Sequence, residues 1–304
     1  MNAFNEIYQD VYKRSGMELK EKKKKDTIKR LLFIICMILM ILFCVKTKNY
    51  LLIIITGITV VLGPIFMIFN FMDYKKIYKE KVIKTFVKAY SDKLNYYPNG
   101  GVSQAVYNRA KFDGHYDRYR TEDLIEGTIL DRYKISMSEV HTQKKEESTD
   151  SDGNSHTYYA TVFHGLFASI ELDALTGVEF MIRTNSFLSD KVSSVNKLNM
   201  DSGEFEKIYD VITLDKISTL RILTADVMQM LIDFKQKNKI TPEIVLNSRG
   251  LFIRFELGNV FEPNLIKADI EYDNLKRTYD LISFTLDLTK KFSENILEFE
   301  GKNI

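Results

Sequence analysis

The chain has 304 residues, 45% of them apolar and 28% charged, with 14 glycines, 4 prolines and 2 cysteines. This is ordinary globular usage, and it excludes collagen-like, disordered and disulfide-scaffold chains. The net charge is only +2 but unevenly spread: residues 1–30 hold nine basic and five acidic side chains, residues 31–72 hold only Lys46 and Lys48, and the remainder is mildly acidic. A basic excess flanking an apolar block points to a membrane surface and away from nucleic acid.

That block begins with LLFIICMILMILFCV, Leu31 to Val45, and resumes after a short polar break as Leu51 to Met72. Crossing a bilayer takes roughly 20 helical residues. The second run is long enough, and the first falls about one turn short, a deficit that Arg30 and Lys46 make up by snorkelling. The expectation is a transmembrane helical hairpin with spans at about 31–47 and 51–72, preceded by a basic cytosolic segment, residues 1–30. A cleaved signal peptide fits poorly, because thirty residues precede the first run and a second run follows it. One helix through 31–72 would place Lys46 and Lys48 at mid-membrane. Basic residues crowd both outer flanks, so the positive-inside rule puts both termini in the cytoplasm. Lys22, Lys23, Lys24, Lys25, Lys75, Lys76 and Lys79 fix this topology and are also candidate contacts for anionic lipid headgroups, each worth about 1 kcal/mol near the surface.

Both cysteines, Cys36 and Cys44, fall in the first apolar run. The domain expected over 73–304 therefore lacks thiol nucleophiles, thiolate zinc sites and iron–sulfur ligands.

Helical spacing of Ile83, Phe86, Val87, Tyr90 and Leu94 predicts a helix over 73–94, closed by the turn-forming Asn95–Gly101. Ser103 caps a short helix to Lys111, and Thr121-Glu-Asp reads as another helix start. The period then switches to alternation at Tyr133, Ile135 and Met137, and Tyr158–Leu172 is rich in aromatic and β-branched residues, so two paired strands are expected. Between them residues 142–157 carry no large apolar side chain and read as a mobile loop. Phe180 and Ile182 suggest a strand after Gly177. Thr224 caps a helix with a Val227–Phe234 stripe, Leu251–Leu257 alternates as a strand, and 274–295 is a last long helix. The fold class expected is α+β, a mainly antiparallel sheet with flanking helices.

No phosphate-binding loop, nucleophile elbow or paired-histidine zinc motif occurs. Asp113, His115 and Asp117 in DGHYDRY, with His164, are the polar residues to consider for a ligand groove; a solvated turn explains the first three as simply. Asp150, Asp152 and Asn154 imitate a calcium loop, but Ser155 stands where its glycine belongs and Thr161 where its bidentate Glu belongs. No catalytic residue, metal or cofactor follows from the sequence, and the balance tilts away from an enzyme.

Several strings together resemble a known family: the two-span hairpin, Tyr97-Pro98, Tyr119, Glu122-Asp123 leading to Gly127, Glu139-Val140, Phe163-His-Gly-Leu-Phe167, Glu204-Phe-Glu-Lys207 and Leu223-Thr224. Over residues 25–265 the chain is similar to bacterial two-span membrane proteins catalogued only as a domain of unknown function. It departs from them at Leu220-Arg221 and at Ala225, where Arg-Tyr and a Leu-Thr-Pro turn are expected. The resemblance implies a bacterial inner-membrane protein with a cytosolic domain. The expected role is an interaction or scaffold module at the inner face, touching membrane lipid and a protein partner or a second copy. The alternative is a membrane-anchored small-ligand sensor or enzyme without a motif.

Overall fold

The computed structural model describes residues 3–47, 50–149, 154–172, 177–185, 196–200, 202–263 and 272–302. Lys48 and residues 150–153, with Asp150 and Asp152 of the calcium-like run, lie outside these. The chain forms two compact units, one of residues 1–86 with 262–277, the other of 87–261 with 278–304. The first unit runs past the second apolar run to Phe86, and Tyr74, Tyr78, Val82, Ile83 and Phe86 are buried along the helix leaving that run.

The first unit is helical: α1 (Ala3–Val11), α2 (Met17–Thr47) and α3 (Tyr50–Tyr78), with wide π-type turns at Tyr12–Gly16 and Lys79–Ile83. Phe4–Thr47 is, among the described residues, the one helical stretch long and apolar enough to cross a membrane. Leu31, Leu32, Ile38, Leu39 and Leu42 are each more than half exposed, an arrangement that water penalises and lipid does not. Cys44 Sγ lies 3.1 Å from Thr56 Oγ1, bringing α2 and α3 side by side. Phe4 packs edge-on against Tyr272 at 5.1 Å, and Lys75 and Lys79 both reach Glu262, at 2.5 and 2.8 Å.

The second unit is built on an antiparallel sheet. Among the described residues its strands are β1 (Leu94–Tyr97), β2 (Arg118–Ile129), β3 (Tyr133–Thr149), β4 (Ser155–Ile170), β5 (Phe180–Thr184), β6 (Lys197–Leu198), β7 (Tyr209–Thr213), β8 (Glu243–Asn247) and β9 (Gly250–Glu256). They lie side by side in the order β1-β2-β3-β4-β9-β8-β5-β7-β6. The remaining helices of the chain are α4 (Lys84–Tyr90), α5 (Gln104–Arg109), α6 (Gly203–Ile208), α7 (Lys216–Ile222), α8 (Ala225–Asn238) and α9 (Tyr272–Lys302), with the first residues of α4 and of α9 belonging to the first unit. The α+β class and the large antiparallel sheet expected from the sequence are therefore present.

Strand alternation divides the core in two. On one face Val140, Phe163, Phe167, Val245 and Phe252 pack under Tyr107 and Ala110 of the α5 segment. On the other, Phe255 meets Phe234 of α8 at 5.8 Å and Phe284 of α9 at 6.3 Å. Coverage on both faces explains why nearly every residue of β9 is buried.

Several local expectations change in this context. Thr121-Glu-Asp does not start a helix. Thr121 pairs with Val140 inside β2, and the chain accommodates the polar pair by a bulge between Glu122 and Ile125, with Asp123 at φ 63°. The 142–157 segment is not a loop throughout, since β3 continues to Thr149 and β4 begins at Ser155. Its Glu146 is held across the ribbon, where the Tyr158 hydroxyl donates to it at 2.7 Å, and the Arg118 guanidinium of β2 lies 3.2 Å from the neighbouring Tyr159 ring. Asn95–Tyr97 pairs as β1, where a turn was expected, and only Pro98–Gly101 turns.

Gly165 belongs where two backbones meet. A Cβ there would lie 1.9 Å from the Phe255 carbonyl oxygen, so only glycine lets β4 and β9 pair at this point.

Candidate functional site

A buried polar cluster of the second unit centres on Arg254. This side chain leaves β9 on the α5 face, its guanidinium 4.5 Å from the Phe112 ring and 4.9 Å from the Phe163 ring. Its Nε and Nη2 both lie 2.6 Å from Glu243 Oε2 on β8, and Nη1 donates to Asp113. Tyr107 completes the group by donating its hydroxyl to the other Asp113 oxygen. Burial pushes the Tyr107 phenol up, and the Asp113 carboxylate pushes it further. Burial alone would disfavour the charged Arg254, but Glu243 and Asp113 outweigh it and hold the guanidinium ionised. Two small cavities border the cluster, one of 410 Å³ beside Tyr107 and Asp113 and one of 240 Å³ beside Glu243 and Arg254.

Such a group holds elements together and offers little acid–base chemistry. Arginine does not give up its proton, and both carboxylates here are committed to it.

Of the four residues considered for a ligand groove, Asp113 and His115 line the cavity beside Tyr107, and His164 lies apart from them. Asp113 is buried against Arg254, with 5% of its side chain exposed. His115 and Asp117 face each other at 3.2 Å in a surface turn, where Asp117 also accepts the Lys145 N–H at 2.6 Å. These bonds, that from Lys145 first, hold the Asp117 carboxyl below its usual range. His164 points to the opposite face of the sheet from Phe163 and Arg254. There it stacks on His141 at 4.3 Å and its Nε2 meets Asn259 Oδ1 at 2.8 Å.

The lysines considered for lipid also separate. Lys24, Lys25 and Lys76 are exposed, whereas Lys79 is buried against Glu262 with 3% of its side chain exposed and is removed from any lipid-facing set. Lys22 lies 3.8 Å from Asp73, Lys23 sits over the Tyr74 ring at 5.9 Å, and Lys75 shares Glu262.

Residues 161–294 match the family described as Protein of unknown function (DUF3137). The match starts inside β4 and takes in Phe163–Phe167 and Glu204–Lys207; it leaves out Tyr97-Pro98, Glu122-Asp123 and the apolar runs. No curated protein matches the sequence. The crystal structure of the mycobacterial trehalose monomycolate transport factor A, TtfA, aligns with 69% of this chain and 93% of its own, at 8% identity and a TM-score of 0.30.

A second acidic group lies at the β2 bulge. Glu122, Asp123 and Glu139 bring carboxylate oxygens within 4.8 Å of one another, a spacing that suits a hard cation. Donors from the protein already serve two of them: the Tyr96 hydroxyl bonds to Asp123, and the Val260 and Phe261 N–H groups both bond to Glu139. Glu139 thereby fastens the segment after β9 to the sheet.

The strand edges tell a different story from the polar clusters. β2 accompanies β3 only as far as Gln143, and β9 accompanies β4 only from Gly165. Beyond those points β3 and β4 continue as a two-stranded ribbon for about 20 Å. The β3 edge of the ribbon carries Lys144, Lys145, Glu146 and Glu147. The β4 edge, Ser155 to Phe163, has no lysine, arginine, carboxylate or proline. No strand lies beside it among the described residues, and Tyr158 there is 48% exposed.

Arg254 and Glu243 escaped the sequence reading. The available signal was an arginine inside the apolar string Leu251–Leu257, where burial on both faces demands a partner.

Proposed function

We propose that this protein is a membrane-anchored interaction module of a bacterial inner membrane, which recruits a protein partner by adding a strand to the outer edge of β4. The bare edge carries this reading. Sheet proteins commonly guard such edges with charge or proline, since unpaired N–H and C=O groups template another strand. Here the β3 side has that guard and the β4 side does not, the pattern of an edge kept open for a partner.

The anchor is α2, with α3 as a second span. In this reading both termini and the sheet domain face the cytoplasm, following the basic flanks. The exposed apolar stripe of α2 supports the anchor, and Lys24, Lys25 and Lys76 remain as contacts for anionic headgroups.

A photo-crosslinking amino acid at Tyr158 in living cells tests the edge, with Leu220 as a control position. The expected result is a discrete product from position 158 that disappears in Thr157→Lys/Thr161→Lys. Absence of a product, or a product indifferent to the two lysines, overturns strand addition. Topology is tested separately: in a variant lacking Cys36 and Cys44, a cysteine at Lys46 should react with an impermeant maleimide from outside the membrane, and failure to react overturns the hairpin.

A further inference from the structure

A cavity of 410 Å³ opens on the sheet face of the second unit where α5 ends. Its floor is Met181, Ile212 and Val245, set side by side because Met181 pairs with Ile212 across β5–β7 and with Val245 across β5–β8. Leu214, 87% exposed just beyond β7, extends the apolar wall.

The rim is cationic. Arg109 and Lys111 come from the end of α5, and Arg249 from the turn joining β8 and β9. Asn247 locks these two pieces of rim together: its Nδ2 donates to the Arg109 carbonyl and its Oδ1 accepts the Arg249 N–H, both at 2.9 Å. Two acids also line the cavity, and both are occupied by backbone. Glu179 accepts the Ser248 N–H at 3.2 Å, and Asp215 accepts the Ser218 N–H at 3.0 Å as the cap of α7. Among the described residues, none of the three rim cations has an ion-pair partner. The other cations of this sheet face behave differently, since Arg254 is held by two carboxylates and Lys197 lies 2.6 Å from Asp210.

We infer that this cavity binds an amphipathic anion, a carboxylate or phosphate head held by Arg109, Lys111 and Arg249 with its apolar chain laid over Met181, Ile212 and Val245. Each half of the site argues against a simpler ligand. A neutral apolar molecule would cover the floor but strip water from three cations, and a bare anion would satisfy the rim and leave the floor wet. The volume suits one small molecule, and guanidinium groups suit bidentate capture of either head. The inference does not depend on strand addition at β4. A headgroup of a membrane lipid and a free amphiphile share this chemistry.

The test uses the full chain in phosphatidylcholine nanodiscs and radiolabelled octyl phosphate in equilibrium dialysis, with empty nanodiscs as the blank. Saturable binding above the blank is expected, at least about tenfold tighter than octanol or inorganic phosphate, in line with the strength of hydrogen bonds to charged groups. Arg109→Gln/Arg249→Gln should weaken it by a similar factor at an unchanged thermal midpoint. If that pair fails to fold, Arg249→Gln alone, on an exposed turn, should still weaken binding. No binding above the blank, inorganic phosphate binding as tightly, or folded variants binding like the parent overturns the inference. Repeating the titration with part of the phosphatidylcholine replaced by phosphatidylglycerol separates the sources: lost octyl phosphate binding assigns the site to membrane lipid, and retained binding assigns it to a free amphiphile.

Discussion

Arg254 reaches across 141 residues of sequence to Asp113, and that ion pair joins β9 to the turn after α5. Both side chains are largely buried, so removing one leaves the other charged in a poorly solvated place. Asp113→Ala should cost about 3–5 kcal/mol, the range for breaking a buried pair. Asp113→Asn should cost less, because the amide oxygen still accepts from Arg254. Thermal midpoints of the detergent-solubilised chain check the ranking, and equal effects would show that the charge on Asp113 is unimportant.

Gly165→Ala is expected to be damaging as well. The obstacle is the Phe255 carbonyl, backbone that cannot swing aside, so β4 and β9 must separate locally. A loss of about 3 kcal/mol is expected, the upper part of the range for overpacking. A midpoint within a degree or two of the parent would contradict the close approach.

Burial, and then the neighbouring His164 and Arg120, hold His141 below its ordinary pKa of 6.5. The unfolded chain therefore takes up this proton more readily than the native one. The associated stability is complete above the ordinary value and is lost as pH falls through it toward the lower native pKa. His141→Asn should flatten the fall in thermal midpoint between about pH 7.5 and 5.5. An unchanged slope would place the acid sensitivity elsewhere.

Asn295 of α9 donates to the Ile222 carbonyl at 2.8 Å and to Thr224 Oγ1 at 3.1 Å, tying three helices together. Asn295→Ala leaves a buried carbonyl unpaired and should cost about 1–3 kcal/mol. Hydrogen exchange at the start of α8 should rise in parallel, and protection equal to the parent's would argue against this tie.

These cases mark what the sequence could and could not express. Ser103 works as a local cap, its oxygen accepting the Val106 N–H, so α5 is readable from a few adjacent residues. Thr224 looks equivalent and does begin α8, yet its hydroxyl accepts from Asn295, seventy-one residues away, and makes no cap bond of its own. Thr121-Glu-Asp mimics a helix start because the cap signal is local, whereas the pairing with Val140 that overrides it is not. The four groove candidates separate for the same reason: Asp113 and His115 line one cavity, but alternation along β4 sends His164 to the other side of the sheet. The rim cations of the α5-end cavity come from two segments far apart in sequence, which Asn247 helps to join.

The ion pairs of Glu262 with Lys75 and Lys79, and the packing of Tyr272 on Phe4, bind a segment from late in the chain into the same body as the apolar helices. A water-soluble fragment made by simply deleting the N-terminal region would therefore strip Glu262 and Tyr272 of these partners. Excision calls for two cuts, keeping 87–261 and rejoining it through a flexible linker to 278–304, so the expression strategy for this protein follows from where one glutamate finds its lysines.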